Sequence, residues 1–451
     1  MPTTSPLMSR NLRLMTAIFR ALVLIVVLAL AGIMLSPAAA VDRDHGDRQL
    51  AKHVVLVDWD GFDPDYLGRV PTPNLDALAR RGAFALARST FHMISNPARA
   101  SMSTGAYPEV HGNAAYVFDP FTNSVQGQTR FLAAETIAES LAAEGRTVAS
   151  VQWYMVQGHG VTYGDPNHLY VEPGGPFARR VDTAIDILNR RPVNSGGQLV
   201  TVPQIPDQLA VYSSDLDGRA HEVGPDDPSI APLLAEHDRQ LGRLVQATKD
   251  VGIYDETTFI LTSDHGMTAW DRSLLPQVLG AVRDAGHAPE VLRPGGSPAP
   301  ETDVVIVANA VRIGNFTLRG DAAQPRARRR IERALRRLPE IERVYREADL
   351  RRLHASDKLG DLVAEARPPY GFIDETLPAG EQRGGHGSLA EIDVPFYLAG
   401  AGVERGAQLR GPGLVDVAPT IAALLGARAP ADAQGSVLRE VVRGSVLDTA
   451  R

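Results

Sequence analysis

The sequence has no cysteine in its 451 residues, so no disulfide framework holds it together and none can mispair in an oxidising compartment. Internal repeats and low-complexity tracts are also missing, and a 44% hydrophobic, 22% charged composition excludes a disordered or collagen-like chain. Lysine occurs only at Lys52, Lys249 and Lys358; the remaining basic residues are arginine, a skew that reads as coding bias. The net charge is −7, the pI is near 6.0 and the basic residues are dispersed along the chain, so no footprint for a nucleic-acid polymer is expected. The longest apolar run, Ala21 to Leu35, falls short of the roughly 18 residues of a membrane span.

That run follows Arg10, Arg13 and Arg20 and precedes Ser36-Pro37-Ala38-Ala39-Ala40, the layout of a secretory signal peptide over residues 1–40 with cleavage after Ala40. The competing reading keeps it as an uncleaved membrane anchor lengthened by Leu14 to Arg20. Either way the body is extracytoplasmic, periplasmic or secreted, and 41–49 is a polar leader. The body exceeds the size at which one core stops growing, roughly 250–300 residues, so a large domain with a smaller satellite is expected.

From His53 onward short β-rich runs alternate with helical patterns, the signature of a largely parallel α/β sheet with helices on both faces. Strands are predicted at His53–Val57, Val148–Trp153, Leu209–Tyr212 and Thr258–Thr262. Helices are predicted at Asn74–Arg81, Thr136–Glu144 and Pro232–Lys249. A Pro- and Gly-rich break at Pro289–Thr302 opens a small α+β cap, residues 289–381, inserted between core segments 50–288 and 382–451. Its Arg-rich helix, Arg326–Leu338, contains Glu332 and is followed by Glu340, and reads as a solvated face.

The chemistry-bearing residues cluster after predicted strands, where open α/β sheets build their sites. Asp60 precedes a turn glycine, Gly61. Ser95 stands at a helix start, either as a cap or as a nucleophile favoured by the helix dipole. Asp217 and His221 follow the strand ending at Tyr212, with Glu222 to Pro225 read as a turn. Asp264-His265-Gly266 lies just after Thr258–Thr262, and His386 sits in a glycine loop, Gly384-Gly385-His386-Gly387. Carboxylate and imidazole together suit zinc, and two ions roughly 3.5–4 Å apart can clamp a phosphoryl transfer. Each cluster alone has a mundane explanation; their order in one chain is specific.

Asp60-Gly61-Phe62, the Ser95 block running to Tyr107-Pro108-Glu109-x-His111-Gly112, Asp217-x-x-x-His221-x-x-Gly224-Pro225, Asp264-His265-Gly266 and Gly385-His386-Gly387 together resemble the alkaline phosphatase superfamily, nearest its type I phosphodiesterase/nucleotide pyrophosphatase branch. The likeness runs from His53 to about Ala427, including Asp393–Phe396 and Leu414–Thr420. It implies an alkaline-phosphatase-like core, one Zn²⁺ held by Asp217, His221 and His386, and another by Asp60, Asp264, His265 and the Ser95 oxygen. It also implies a small phosphate-ester substrate, Ser95 as covalent nucleophile and net retention at phosphorus. Two departures keep alternatives open. The branch usually has threonine where Ser95 stands and superfamily phosphomonoesterases have serine, while Ser95-x-Pro97-x-Arg99 matches a sulfatase signature. The phosphate-contacting asparagine of the branch falls on Tyr116, leaving Asn113 or Arg99 to stabilise charge. A catalytically silent zinc-binding protein is the remaining alternative. His111 is expected to hold the loop after the nucleophile helix, and Asp58 to support the site from behind or to make a strand-end hydrogen bond.

Overall fold

The computed structural model describes residues 49–442; the predicted signal segment lies outside them. In chain order the strands used below are β1 (His53–Trp59), β2 (Gly82–Arg88), β3 (Val148–Val151), β4 (His168–Val171), β5 (Gln208–Ser213), β6 (Thr257–Thr262) and β7 (Thr268–Trp270). There follow β8 (Pro289–Leu292), β9 (Val304–Asn309), β10 (Ile313–Leu318), β11 (Ile341–Arg346), β12 (Leu362–Ala366), β13 (Arg383–Gly385) and β14 (Asp393–Gly400). The helices are α1 (Pro73–Arg81), α2 (Ser95–Thr104), α3 (Ile137–Ala143), α4 (Phe177–Leu188), α5 (Asp215–Val223), α6 (Ile230–Asp250), α7 (Leu275–Asp284), α8 (Pro325–Leu335) and α9 (Val417–Leu425).

The main sheet has seven strands in the order β2-β14-β6-β1-β5-β3-β4, and β14 alone runs against the rest. Its central strands β5 and β6 are buried throughout, as strands covered on both faces must be. Alternation along β1 divides the core. Val54 and Leu56 pack with Ile137 and Leu141 of α3 and Ile421 and Leu424 of α9. Val55, Val57 and Trp59 pack with Val181 of α4 and Leu234, Leu241 and Leu244 of α6. Thr136 caps α3 through a reciprocal capping box with Glu139.

Residues 289–366 form a second sheet, order β8-β9-β10-β12-β11. Val304, Ile306, Phe316 and Leu362 face helices α7 and α8. On the opposite face, Val305 and Val307 pack on Phe118 and Val125, and Val363 packs with Phe91, Met93 and Ala114. Helix α8 is thus the outer layer of this insert, and the other sheet face lies on the core.

Two local expectations change. Glu222 and Val223, expected in a turn, close helix α5, in which Asp217 and His221 share one face at i, i+4. Arg383–Gly385 is a strand paired antiparallel with β7, not a flexible loop. Its glycines are there for space: a Cβ on Gly384 would stand 2.7 Å from the Ala220 carbonyl oxygen and from the Met267 sulfur.

Candidate active site

The C-terminal ends of β1, β5 and β6 and the start of α2 converge. Asp60 follows β1 and its N–H donates to the Ser213 carbonyl at 2.8 Å. Gly61 then turns with φ +66°, and a Cβ there would lie 2.9 Å from Asp217 Cα, so only glycine allows the two turns to interlock. Asp264 follows β6, and its Oδ1 accepts from the Gly61 N–H at 3.2 Å. His265 Nε2 lies 3.4 Å from Asp60 Oδ1 and 3.2 Å from Asp264 Oδ2. Ser95 is the first residue of α2, one past the N-cap residue Ile94, and its Oγ lies 3.3 Å from the same Nε2. These groups form an inner cluster of buried side chains.

An outer cluster lies beside it. His221 Nε2 is 3.2 Å and His386 Nε2 3.8 Å from Asp217 Oδ1, with His221 36% and Asp217 17% exposed. The His265 and His386 rings stack at 3.6 Å between centroids and join the two clusters. His386 is tied to the insert: its N–H donates to Ala310 O at 3.0 Å, and its carbonyl accepts from Arg312 N–H at 3.2 Å.

The donors fit divalent cations. Each histidine turns Nδ1 toward a backbone carbonyl: His221 toward Gly384 at 2.9 Å, His265 toward Gly266 at 3.0 Å and His386 toward Met93 at 2.7 Å. A carbonyl only accepts, so Nδ1 carries the proton and each Nε2 presents its lone pair, as metal-ligating histidines do. Asp60 Oδ1, Asp217 Oδ1 and Asp264 Oδ2 are buried without a hydrogen bond, and each faces one of those Nε2 atoms. Two donor sets, Asp217–His265–His386 and Asp60–Asp264–His265, are close enough to share an ion. Electrostatics agree. Burial and the neighbouring Asp60, Asp58 and Asp217 carboxylates drive Asp264 far above the usual range although Arg99 opposes them. Burial pulls the His221 imidazole down, but Asp217 outweighs it and lifts the group to about 9. Without added positive charge the site recruits protons.

The structure gives Arg99 and Asn113 different surroundings from those the sequence reading assigns. The Arg99 guanidinium is wholly buried behind the inner cluster, with Nε donating to Asp58 Oδ2 at 2.6 Å and Nη2 3.0 Å from Asp60 Oδ2 and 3.1 Å from Asp264 Oδ2. It backs carboxylates and does not face a phosphate. Both Asn113 amide hydrogens are committed, to Thr129 O at 3.0 Å and Phe131 O at 2.8 Å, so no donor is left for an oxyanion. Asp58 takes the supporting position, accepting from Arg99 and from Trp153 Nε1 at 3.1 Å. His111 Nε2 bonds Ser101 Oγ of α2 at 2.9 Å. Sequence reasoning missed Tyr212, whose hydroxyl donates to Asp60 Oδ2 at 2.7 Å, and Tyr154, which bonds Arg99 and Asn96. The signal for Tyr212 is its register, opposite Asp58 across the parallel β1–β5 pair.

A seven-stranded, largely parallel sheet carrying paired donor clusters at its strand ends defines an alkaline-phosphatase-like α/β fold. It is shared with human ectonucleotide pyrophosphatase/phosphodiesterase 5 at a TM-score of 0.65 and 21% identity, over 84% of this chain and 96% of that one. The murine protein of that name, in an inactive variant bound to AMP, superposes with a TM-score of 0.66 at 20% identity, over the same shares of the two chains. The type I phosphodiesterase/nucleotide pyrophosphatase family model matches residues 54–389, and the chain belongs to that family. Human family member 5 is 27% identical over 256 residues, 54% of this chain and 50% of the relative. A Xenopus laevis bis(5'-adenosyl)-triphosphatase is 30% identical over 224 residues, 48% of this chain and 47% of the relative. The chain spans about half the length of the curated relatives it matches.

Proposed function

We propose that this protein is an extracytoplasmic two-zinc hydrolase of small phosphate esters, of phosphodiesterase/nucleotide pyrophosphatase type, with Ser95 as nucleophile. The observation that carries the reading is the placement of Ser95 Oγ, at the start of α2 and 3.3 Å from an imidazole nitrogen that faces two buried carboxylate oxygens. Bound at these donors, divalent ions supply Lewis acidity that favours ionised serine and a departing oxygen.

The chain's own residues do the rest. Tyr212 and Arg99 hold Asp60 Oδ2, which leaves Oδ1 aimed into the site, and Gly61 N–H holds Asp264 Oδ1, which leaves Oδ2 aimed there. The positive end of α2 favours negative charge on Ser95 Oγ. Attack by that oxygen gives a phosphoseryl ester and expels the alcohol or nucleotide, which takes up a proton; water attacking from the vacated side breaks the serine O–P bond, releases the phosphate or phosphomonoester and restores the serine, with retention at phosphorus. A sulfatase reading loses support because Arg99 turns to carboxylates and a second donor cluster exists.

The test is kcat/KM for bis-p-nitrophenyl phosphate over p-nitrophenyl phosphate in zinc-loaded protein, with p-nitrophenyl sulfate alongside and Ser95→Ala as blank. A ratio well above one is expected. A ratio well below one makes it a phosphomonoesterase, favoured by serine at the nucleophile position, and activity on sulfate alone overturns the reading. Failure to retain zinc would leave a silent member of the family.

A further inference from the structure

Glu332, the glutamate within α8 that makes it read as an ordinary solvated face, does not lie on its exposed side. Glu332 is 4% exposed and turned inward, where it pairs with Arg336 and Arg346. What remains outside is arginine: Arg326, Arg329, Arg330 and Arg333 are all exposed at i, i+3, i+4 and i+7, one continuous stripe, and Arg337 extends it past the helix end, whereas Arg336 is tied to Glu332 and the Val344 carbonyl. No ion pair or hydrogen bond engages the side chains of Arg326, Arg329, Arg333 or Arg337 among the described residues, and the Arg330 side chain reaches only His287, at 3.4 Å. The segment concentrates positive charge in a chain whose total is −7. The helix also forms the outer layer of the insert, with Ile331 and Leu335 packed down on the sheet, so the stripe lies uncovered among the described residues.

We propose that this stripe docks the protein on an anionic phospholipid surface. Guanidinium groups match phosphate oxygens in a bidentate fork, and one short row of them, about 16 Å long for eleven residues, suits a plane of headgroups. A single-stranded nucleic acid would call for aromatic stacking platforms between the basic residues, and the exposed stripe has none. The stripe acts by charge alone, with no apolar side chain to insert. Its binding therefore depends on the fraction of anionic lipid and is screened by salt.

The experiment is co-sedimentation of the full chain with vesicles of phosphatidylglycerol and phosphatidylcholine against vesicles of phosphatidylcholine alone, which cancels any contribution of the apolar amino-terminal segment. Each arginine near such a surface contributes about fivefold in partitioning. The wild type should favour the anionic vesicles by tenfold or more at low salt and lose most of that preference at high salt. Arg326→Gln/Arg330→Gln/Arg333→Gln should abolish it while leaving hydrolysis of a soluble ester and thermal unfolding unchanged, and the triple lysine variant should keep most of it. Equal partitioning of the wild type on both vesicles overturns the proposal, as does a preference that survives the glutamine variant. Binding to duplex DNA as tight as to anionic vesicles at the same salt would replace the lipid assignment.

Discussion

The two donor clusters are built from opposite materials. The inner one hangs from the ends of β1 and β6, its aspartates and histidine are buried, and an internal arginine caged by Asp58, Asp60, Asp264 and the rings of Tyr212 and Tyr154 sits behind it. The outer one combines one face of α5 with His386, which is held by backbone bonds from the insert, and it is partly open to solvent. In the inner cluster Arg99 offsets part of the carboxylate charge before any ion arrives; the outer cluster has no such buried cation behind it among the described residues. The inner cluster should therefore dominate folding stability and nucleophile activation, and the outer one should matter to ion occupancy more than to folding.

The largest effect should come from Ser95→Ala, a fall in kcat of about a thousandfold or more with zinc content unchanged; comparable residual turnover would move the nucleophile out of the inner cluster. Next is Arg99→Met, which leaves three buried carboxylates without their cation and should cost the metal-free protein about 3–5 kcal/mol in urea unfolding. Saturating zinc should return part of that loss, since the ions bind only the folded state. Acidification should act on the inner side too, through His111 against α2. Burial pushes that imidazole down to about 3, so it is neutral when folded, whereas the unfolded chain takes up a proton near pH 6.5. The stability it contributes is complete above pH 6.5 and is lost as pH falls toward 3, about 2 kcal/mol of it by pH 5. His111→Gln should flatten that part of the stability–pH curve. The smallest effect on folding belongs to the outer cluster: Asp217→Asn should change metal-free stability by less than about 1 kcal/mol, while metal analysis shows one equivalent of zinc lost. A large destabilisation there would erase the contrast.

What the sequence revealed follows from how locally each feature is encoded. The buried run of β1, the long periodic α6 and the short carboxylate–imidazole motifs after strands are legible because neighbouring residues carry the whole signal. The last residues of α5, Glu222 and Val223, were hidden by the turn-like Gly224-Pro225 that follows them, and β13 by the two glycines that close packing requires. The reach of Arg99 and the role of Tyr212 depend on strand register and on which way a buried guanidinium turns, and Asn113 on a loop some sixteen residues away in sequence. No local pattern records these. The arginine helix misled because sequence spacing counts glutamates but does not say which side of the helix they occupy.

The hydrogen bonds that bracket His386 make residues 289–381 a poor exchangeable module. Replacing the insert would withdraw the backbone partners, Ala310 and Arg312, that hold His386 in the outer cluster. An engineer who wishes to vary this region should keep the β9–β10 turn and change the strands' far ends, which leaves the backbone grip on His386 in place.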